Sequence, residues 1–403
     1  MNSFWLIIFC LSIFIVFYTY IGYAAVLWLM VKIKESIKGK RTEYTVGDYP
    51  EVTLLVTAYN EKDYVDAKVK NSLELDYPKN KLKLVWVTDG SDDGTPDLLR
   101  KYPEVTVHYK PERAGKITAM NRGIKLADTS IVVFSDANAM LGSESVMRIV
   151  HLFADPSVGC VSGEKRIFSN KKDMAAGAGE GFYWKYESFL KRYDARLYSV
   201  VGAAGELFAI RREHFTEVED DTLLDDFIIS LRIAMKGYTT QYDPLAYACE
   251  HSSANVREEL KRKIRISAGG FQSMVRLAPL LNLFKYGLLS FQYISHRVLR
   301  WTLAPLSLLL LLISNFALSL QTGLFSFTFT EGWGMAIIFW LQIFFYTMAL
   351  LGWFLENRQI KLKILFIPYY FFIMNYAVFL GFFRYLKKTQ NVVWERAKRR
   401  SYL

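Results

Sequence analysis

Four short stretches of the chain hold residue types able to do chemistry together. VTDGSDDGT starts at Val87, FSDANA at Phe134, LLDDF at Leu223 and RKIRISAGG at Arg262. Carboxylates take up protons or hold divalent cations, and guanidinium groups bind phosphate oxygens in pairs. The set therefore points to chemistry on a phosphorylated ligand.

Each stretch also has a plainer reading. Asp89 ends an apolar run and can accept hydrogen bonds from a nucleobase or ribose, with Gly90 and Gly94 letting the backbone turn close to a ligand. A solvated turn uses the same residues. Asp136 is delivered by another apolar run, with Asn138 two residues on, and such hard oxygen ligands suit Mg²⁺ or Mn²⁺ shared with phosphates. A strand-terminating turn capped by Asp136 is the alternative. Asp225 and Asp226 open an amphipathic run ending at Gly237, where acids complement a helix dipole whether or not they react. As neighbours, one raises the other's proton affinity, which a general base requires. Arg262, Lys263 and Arg265 serve either a diphosphate or lipid headgroups. His251 is a third candidate metal ligand or a hydrogen-bonded structural histidine. The aromatic run around Tyr183, Trp184, Tyr186 and Glu187 offers faces to a sugar or packs in a core.

The elements that must position these groups follow from the pattern. VTLLVTA, LKLVWVTD, VTVHY and SIVVFSD alternate with helical segments such as Asp63 to Leu75 and Ala114 to Leu126. This predicts a mainly parallel sheet covered by helices, one domain in size, binding its ligand beyond the carboxyl ends of the strands. Tyr59, Asn60, Glu61, Asp89 and Asp136 fall at those ends.

Hydrophobic segments enclose this domain. Phe4 to Val31, Trp301 to Leu320, Gly332 to Leu355 and Ile364 to Phe383 contain no charged residue and are each long enough to span a bilayer. Lys32, Lys34, Lys38, Lys40 and Arg41 follow the first, so the positive-inside rule places the domain in the cytoplasm and the N-terminus outside. Gln321 to Glu331 then falls outside and the Lys361 and Lys363 loop inside. Three clean crossings would export the basic tail, unless the region of Pro368 and Asn375 is re-entrant or broken. The tail's side stays open. The net charge of +11 comes partly from the Lys and Arg clusters beside the spans, which favours membrane lipids over nucleic acid as partner. Cys10, Cys160 and Cys249 show neither disulfide nor zinc spacing.

In order and spacing, these motifs resemble the membrane-embedded family 2 glycosyltransferases, the synthases of cellulose, chitin, hyaluronan and poly-β-1,6-N-acetylglucosamine. TAYNE, VTDGS, RAGKITAMNRG, FSDAN, GAAGELFAIRR and LLDDF each match a family segment. The resemblance implies a GT-A, Rossmann-like α/β domain carrying N- and C-terminal transmembrane helices, located in the cell's inner membrane with the catalytic domain cytoplasmic. It makes Asp226 the base and Asp225 its neighbour. Thr57, Tyr59, Glu61, Asp89, Lys116, Asp136, Arg262 and Arg265 become contacts to the nucleotide sugar. Gly205, Glu206, Trp184 and Ile266 become acceptor contacts, and Asp136, Asn138 and His251 hold Mg²⁺ or Mn²⁺. Two positions depart from the pattern. The DxD motif reads Asp136, Ala137, Asn138, and where processive members carry QxxRW this chain has Arg262, Lys263, Ile264, Arg265 and Ile266.

The implied division is an anchor over 1–32, the catalytic domain over 50–268, an interfacial amphipathic segment over 269–300, a transmembrane region over 301–386 and a basic tail over 387–403. The implied reaction is inverting transfer of a sugar, UDP-linked, to a polysaccharide or oligosaccharide in β linkage. Transfer of one sugar to a membrane lipid is the alternative. An accessory export subunit is a further partner of such an enzyme. A transporter or receptor that only binds nucleotide is disfavoured, because transporters place ionisable residues within their spans and these spans have none.

Overall fold

The computed structural model describes residues 3–39, 46–168, 177–251, 256–325, 333–357 and 363–390. Lys361 and the tail beyond residue 390 lie outside the described residues. The first span is one helix, α1 (Ser3–Lys38), interrupted by a π-turn over Tyr18–Gly22.

The domain then follows in alternating order. β1 (Val52–Ala58) leads to α2 (Lys62–Leu73), β2 (Leu82–Asp89) to β3 (Val105–Lys110), and α3 (Lys116–Leu126) to β4 (Ile131–Asp136). Next come the short β5 (Met140–Leu141), α4 (Ser145–Leu152), β6 (Val158–Phe168), α5 (Gly177–Leu197) and β7 (Leu207–Arg211). The last members are α6 (Asp225–Met235), β8 (Thr239–His251) and α7 (Val256–Arg276).

The eight strands form one sheet in the order β3-β2-β1-β4-β7-β6-β8-β5. β3, β2, β1 and β4 are mutually parallel, as the sequence pattern predicts. The other half is mixed: β7 runs antiparallel to both β4 and β6, while β8 pairs parallel with β6 and antiparallel with β5. Each face is buried, which is why β1 is buried along its whole length and mostly apolar instead of alternating. Leu54 and Val56 pack with Val65 and Val69 of α2 and Ile149 of α4. Leu55 on the opposite face packs with Ile117 and Met120 of α3 and Ile228 and Leu231 of α6. Each such side chain contributes about 1.5–3 kcal/mol.

Three segments of the described chain are long and apolar enough to cross a membrane: Ser3–Lys38, Leu303–Thr322 (α8) and Gly334–Leu355, the last within α9 (Trp333–Asn357). The fourth expected span lies in α10 (Lys363–Leu386), which runs unbroken through Pro368 and Asn375. The break considered above is therefore not present. α10 packs on α7, with Phe271 and Phe382 rings 5.1 Å apart. α7 itself runs through residues 268 and 269, so the boundary drawn there falls inside a helix. Beyond it, Leu281, Leu283, Phe284 and Leu288 are exposed, Phe284 fully.

The anchor is joined to the domain by a buried polar junction. Asp194 of α5 accepts from the Tyr23 hydroxyl of α1, from Gln292 Nε2 at 3.0 Å, and bonds His296 Nδ1 at 2.6 Å. His296 Nε2 lies 3.2 Å from Glu187, which also meets Arg297 at 2.6 Å and Arg300 at 3.1 Å. His296 stands in a second π-turn, Ile294–Val298, whose Ser295 hydroxyl meets the Tyr18 hydroxyl at 2.9 Å. Burial opposes the Glu187 charge, but Arg297 and His296 more than reverse this and hold its carboxyl well below the usual range.

Candidate active site

The carboxyl ends of β1, β2 and β4 lie side by side, with Thr57 across from Asp136 and Ala58 across from Thr88. Thr57, Tyr59, Asp89, Arg113 and Lys116 line one cleft there. Asp89 Oδ2 accepts the N–H groups of Ala114 at 3.1 Å and Gly115 at 2.7 Å, pinning the loop that enters α3. Its Oδ1 is buried and accepts no hydrogen bond from the described residues. Gly90 has φ +68°, and a Cβ there would lie 2.7 Å from the Arg113 Cβ, so glycine is needed for that loop to close. Arg113 then sets its guanidinium 3.6 Å from the Tyr59 ring centre. Glu61 is buried at the start of α2, its N–H donating to Thr95 Oγ1 at 3.0 Å.

Lys116, the first residue of α3, reaches the other carboxylates. Its ammonium lies 2.9 Å from Asp136 Oδ1 and 3.4 Å from Asp225 Oδ2. Burial works against its charge, but Asp136 and Asp225 more than reverse this and raise its pKa. Asp225 and Asp226 open α6, as predicted, with Asp226 Oδ1 accepting the Phe227 N–H at 2.9 Å. Burial first, and the Asp225 charge second, push the Asp226 carboxyl up to about 7, with Lys116 opposing. Gly205 makes room for this group: a Cβ there would stand 3.1 Å from Asp226 Oδ2.

The expected metal ligands come from separate segments: Asp136 ends β4, Asn138 lies in the turn that follows, and His251 ends β8. β5 pairs antiparallel with β8 at Met140↔Cys249 and Leu141↔Ala248. By chemistry, a carboxylate, an amide oxygen and an imidazole are a donor set that fits Mn²⁺ or Mg²⁺. Lys68 lies beneath this turn. Burial lowers its pKa to about 7, and Asp136 opposes the shift.

On the acceptor side several of the expected residues have partners within the protein. Glu206 meets the buried Lys165 of β6, and Lys165 also meets Glu250 of β8. Trp184 carries two ammonium groups over its ring, Lys165 at 5.5 Å and Lys263 at 5.7 Å, so cations already engage it. Arg262 pairs its fork with Glu259 one turn back, at 2.9 and 2.8 Å. Arg265 is half-buried and forms no ion pair with any described residue. It shares a helix face with Gly269, whose Cβ would stand 2.6 Å from Leu224, so that face looks onto the entry to Asp225. Ile266 follows, also half-buried.

Residues not singled out from sequence complete the site: Arg113, Lys165, Glu250 and Asn121. Asn121 of α3 donates to Val218 O at 2.7 Å and accepts from Val218 N, clipping the loop that leads to Asp225. Lys165 follows a run of buried β6 residues, and a charge at the end of such a run is the one signal that could have marked it.

The profile of the family described as Glycosyltransferase like family 2 matches residues 50–269. Poly-beta-1,6-N-acetyl-D-glucosamine synthase of Staphylococcus aureus (strain MSSA476) is 26% identical over 245 residues, 59% of this chain and 58% of that protein. The chain thus spans under three fifths of that relative's length. The protein of the same name from Staphylococcus epidermidis (strain ATCC 35984) is 23% identical over 357 residues, 84% of each chain. Among solved structures, the mannosyltransferase PcManGT of Pyrobaculum calidifontis, in complex with GDP-Man and Mn2+, superposes with a TM-score of 0.70 at 21% identity. The match covers 95% of this chain and all of that one, a likeness of fold.

Proposed function

The chain belongs to glycosyltransferase family 2, and on that premise we propose that it is an inverting, membrane-bound transferase acting on a UDP-sugar. Asp226 carries the reading. A carboxyl pushed up to about 7, at a helix start and beside a second carboxylate, suits a base that works near neutral pH.

Asp226 takes the proton of an acceptor hydroxyl as its oxygen attacks the anomeric carbon. The bond from that carbon to the β-phosphate oxygen breaks, the electron pair leaves with the diphosphate, and the configuration inverts. Lys116 and Arg265 bear on the departing negative charge. A divalent ion held by Asp136, Asn138 and His251 would supply Lewis-acid stabilisation of the same charge.

Asp89 supports uridine. With Oδ2 given to two backbone N–H groups, only Oδ1 is left to accept, which suits a base presenting one ring N–H between two carbonyls. The synthase relatives favour an N-acetylhexosamine as the sugar and a growing β-linked glycan as acceptor. The exposed Leu281, Leu283, Phe284 and Leu288 support a domain lying against the membrane, on the cytoplasmic side by the positive-inside rule.

The test is release of UDP by the purified protein with a panel of UDP-sugars and GDP-mannose, in Mn²⁺, in Mg²⁺ and in excess chelator. Turnover with a UDP-sugar alone supports the reading. A preference for GDP-mannose removes the uridine assignment, and undiminished activity in chelator removes the metal.

A further inference from the structure

One fully buried ammonium stands beneath the Asp136 turn and takes no part in transfer. Lys68 of α2 is 0% exposed. Its Nζ donates to Ser135 Oγ at 2.7 Å and to the carbonyl of Ala139. These residues flank Asp136, Ala137 and Asn138, so one side chain joins both ends of the turn.

Asn71, one helical turn on, continues the attachment. Its Nδ2 donates to Leu141 O at 2.9 Å, and its Oδ1 accepts from Leu141 N at 2.8 Å. Within the turn, the Ala139 N–H reaches Asp136 O at 3.2 Å. Lysine is among the residues least often fully buried, and an aliphatic side chain would fill the same space without the desolvation cost. What lysine adds here is the pair of donated bonds.

We propose that Lys68, with Asn71, is a positioning residue that splints residues 135–141 from beneath and so aims Asp136 and Asn138 at the donor's diphosphate. The proposal rests on the assignment of Asp136 to the donor site. A lysine that only fills the core would leave the turn ordered when replaced by a side chain of similar volume.

The experiment uses the full chain in lipid nanodiscs and Lys68→Met, with two readouts. The first is amide hydrogen exchange, where residues 136–141 should exchange about tenfold faster while β3, which Lys68 does not touch, is unchanged. The second is calorimetric binding of UDP with Mn²⁺, which should weaken about tenfold while the Michaelis constant for acceptor stays put. Unchanged exchange and unchanged UDP affinity in the folded variant would overturn the splint. Should Lys68→Met fail to fold, Asn71→Ala decides by the same readouts, since it frees the Leu141 end and leaves the ammonium in place. Failure of the unmodified protein to bind UDP with Mn²⁺ counts against the donor-site assignment, and the exchange measurement still decides the splint.

Discussion

The catalytic cluster around Lys116 and the junction around His296 are both built from buried carboxylates and cations, and they differ in what is left over. At the junction both oxygens of Asp194 and both oxygens of Glu187 are engaged. At the strand ends, Asp89 Oδ1 accepts no hydrogen bond from the described residues, and Asp136 Oδ1 and Asp225 Oδ2 share the single Lys116 ammonium, at 2.9 and 3.4 Å. Buried polar atoms are normally satisfied, so carboxylates that share one ammonium beside an oxygen with no donor mark a place kept for a ligand. Charge completed within the protein holds parts together; charge left incomplete waits for a substrate.

Breaking the base should give the largest effect. Asp226→Asn is expected to lower turnover about 10³- to 10⁴-fold with UDP affinity little changed, as single-turnover and binding measurements would show. Near-normal turnover would place the base elsewhere. The same variant should be more stable than its parent at alkaline pH. The folded-state pKa is raised, so the parent loses stability as pH climbs from the unfolded value towards about 7 and bears the full cost above it. Thermal melts of the two proteins should converge near pH 4. For the parent, the rate should rise with pH through about 7, because the reactive form is the carboxylate.

The junction should respond in the opposite currency. Asp194→Ala leaves His296 and Tyr23 without their carboxylate and should cost about 3–5 kcal/mol of stability, read as a lowered Tm, while turnover per folded molecule is retained. A large loss of turnover at unchanged Tm would erase the distinction between the clusters. Asp136→Ala should raise the Michaelis constant for donor about 10²-fold, and Asn138→Ala should do less, since a neutral amide binds a divalent cation more weakly. The smallest effect belongs to Ile266→Trp. An added ring face should lengthen products about two- to tenfold, measured as product size with excess unlabelled acceptor added after initiation. Long chains from the unmodified protein would show that Ile266 does not limit processivity.

The comparison also explains what the sequence could and could not reveal. β1 to β4, and Asp225 with Asp226 at a helix start, were legible because apolar runs and terminal acids are local signals. β6 to β8 were not. Their pairings join residues distant in sequence, and a mixed sheet leaves no simple repeat. Lys165, Glu206 and Glu250 come from three separate segments, so their shared site has no spacing to read. The Arg262 pairing was hidden for a related reason. A guanidinium in a cationic run signals phosphate, and nothing in its type shows that Glu259, three residues back, pairs with it. Lys68 reads as the polar face of a helix until the helix is packed.

The hydroxyl-rich turn of α1 has a consequence for biosynthesis. Tyr18 and Ser295 are separated by 277 residues, and Tyr20 and Asn375 by 355. At ribosomal speeds of 5–20 residues per second, the first gap alone takes roughly 14–55 s to translate. During that interval the anchor is already made, yet Ser295 and Asn375 do not exist. Docking of the anchor is therefore completed late in maturation, and a nascent chain halted before residue 295 should hold α1 with neither the Tyr18 nor the Tyr20 hydroxyl yet bonded to its final partner.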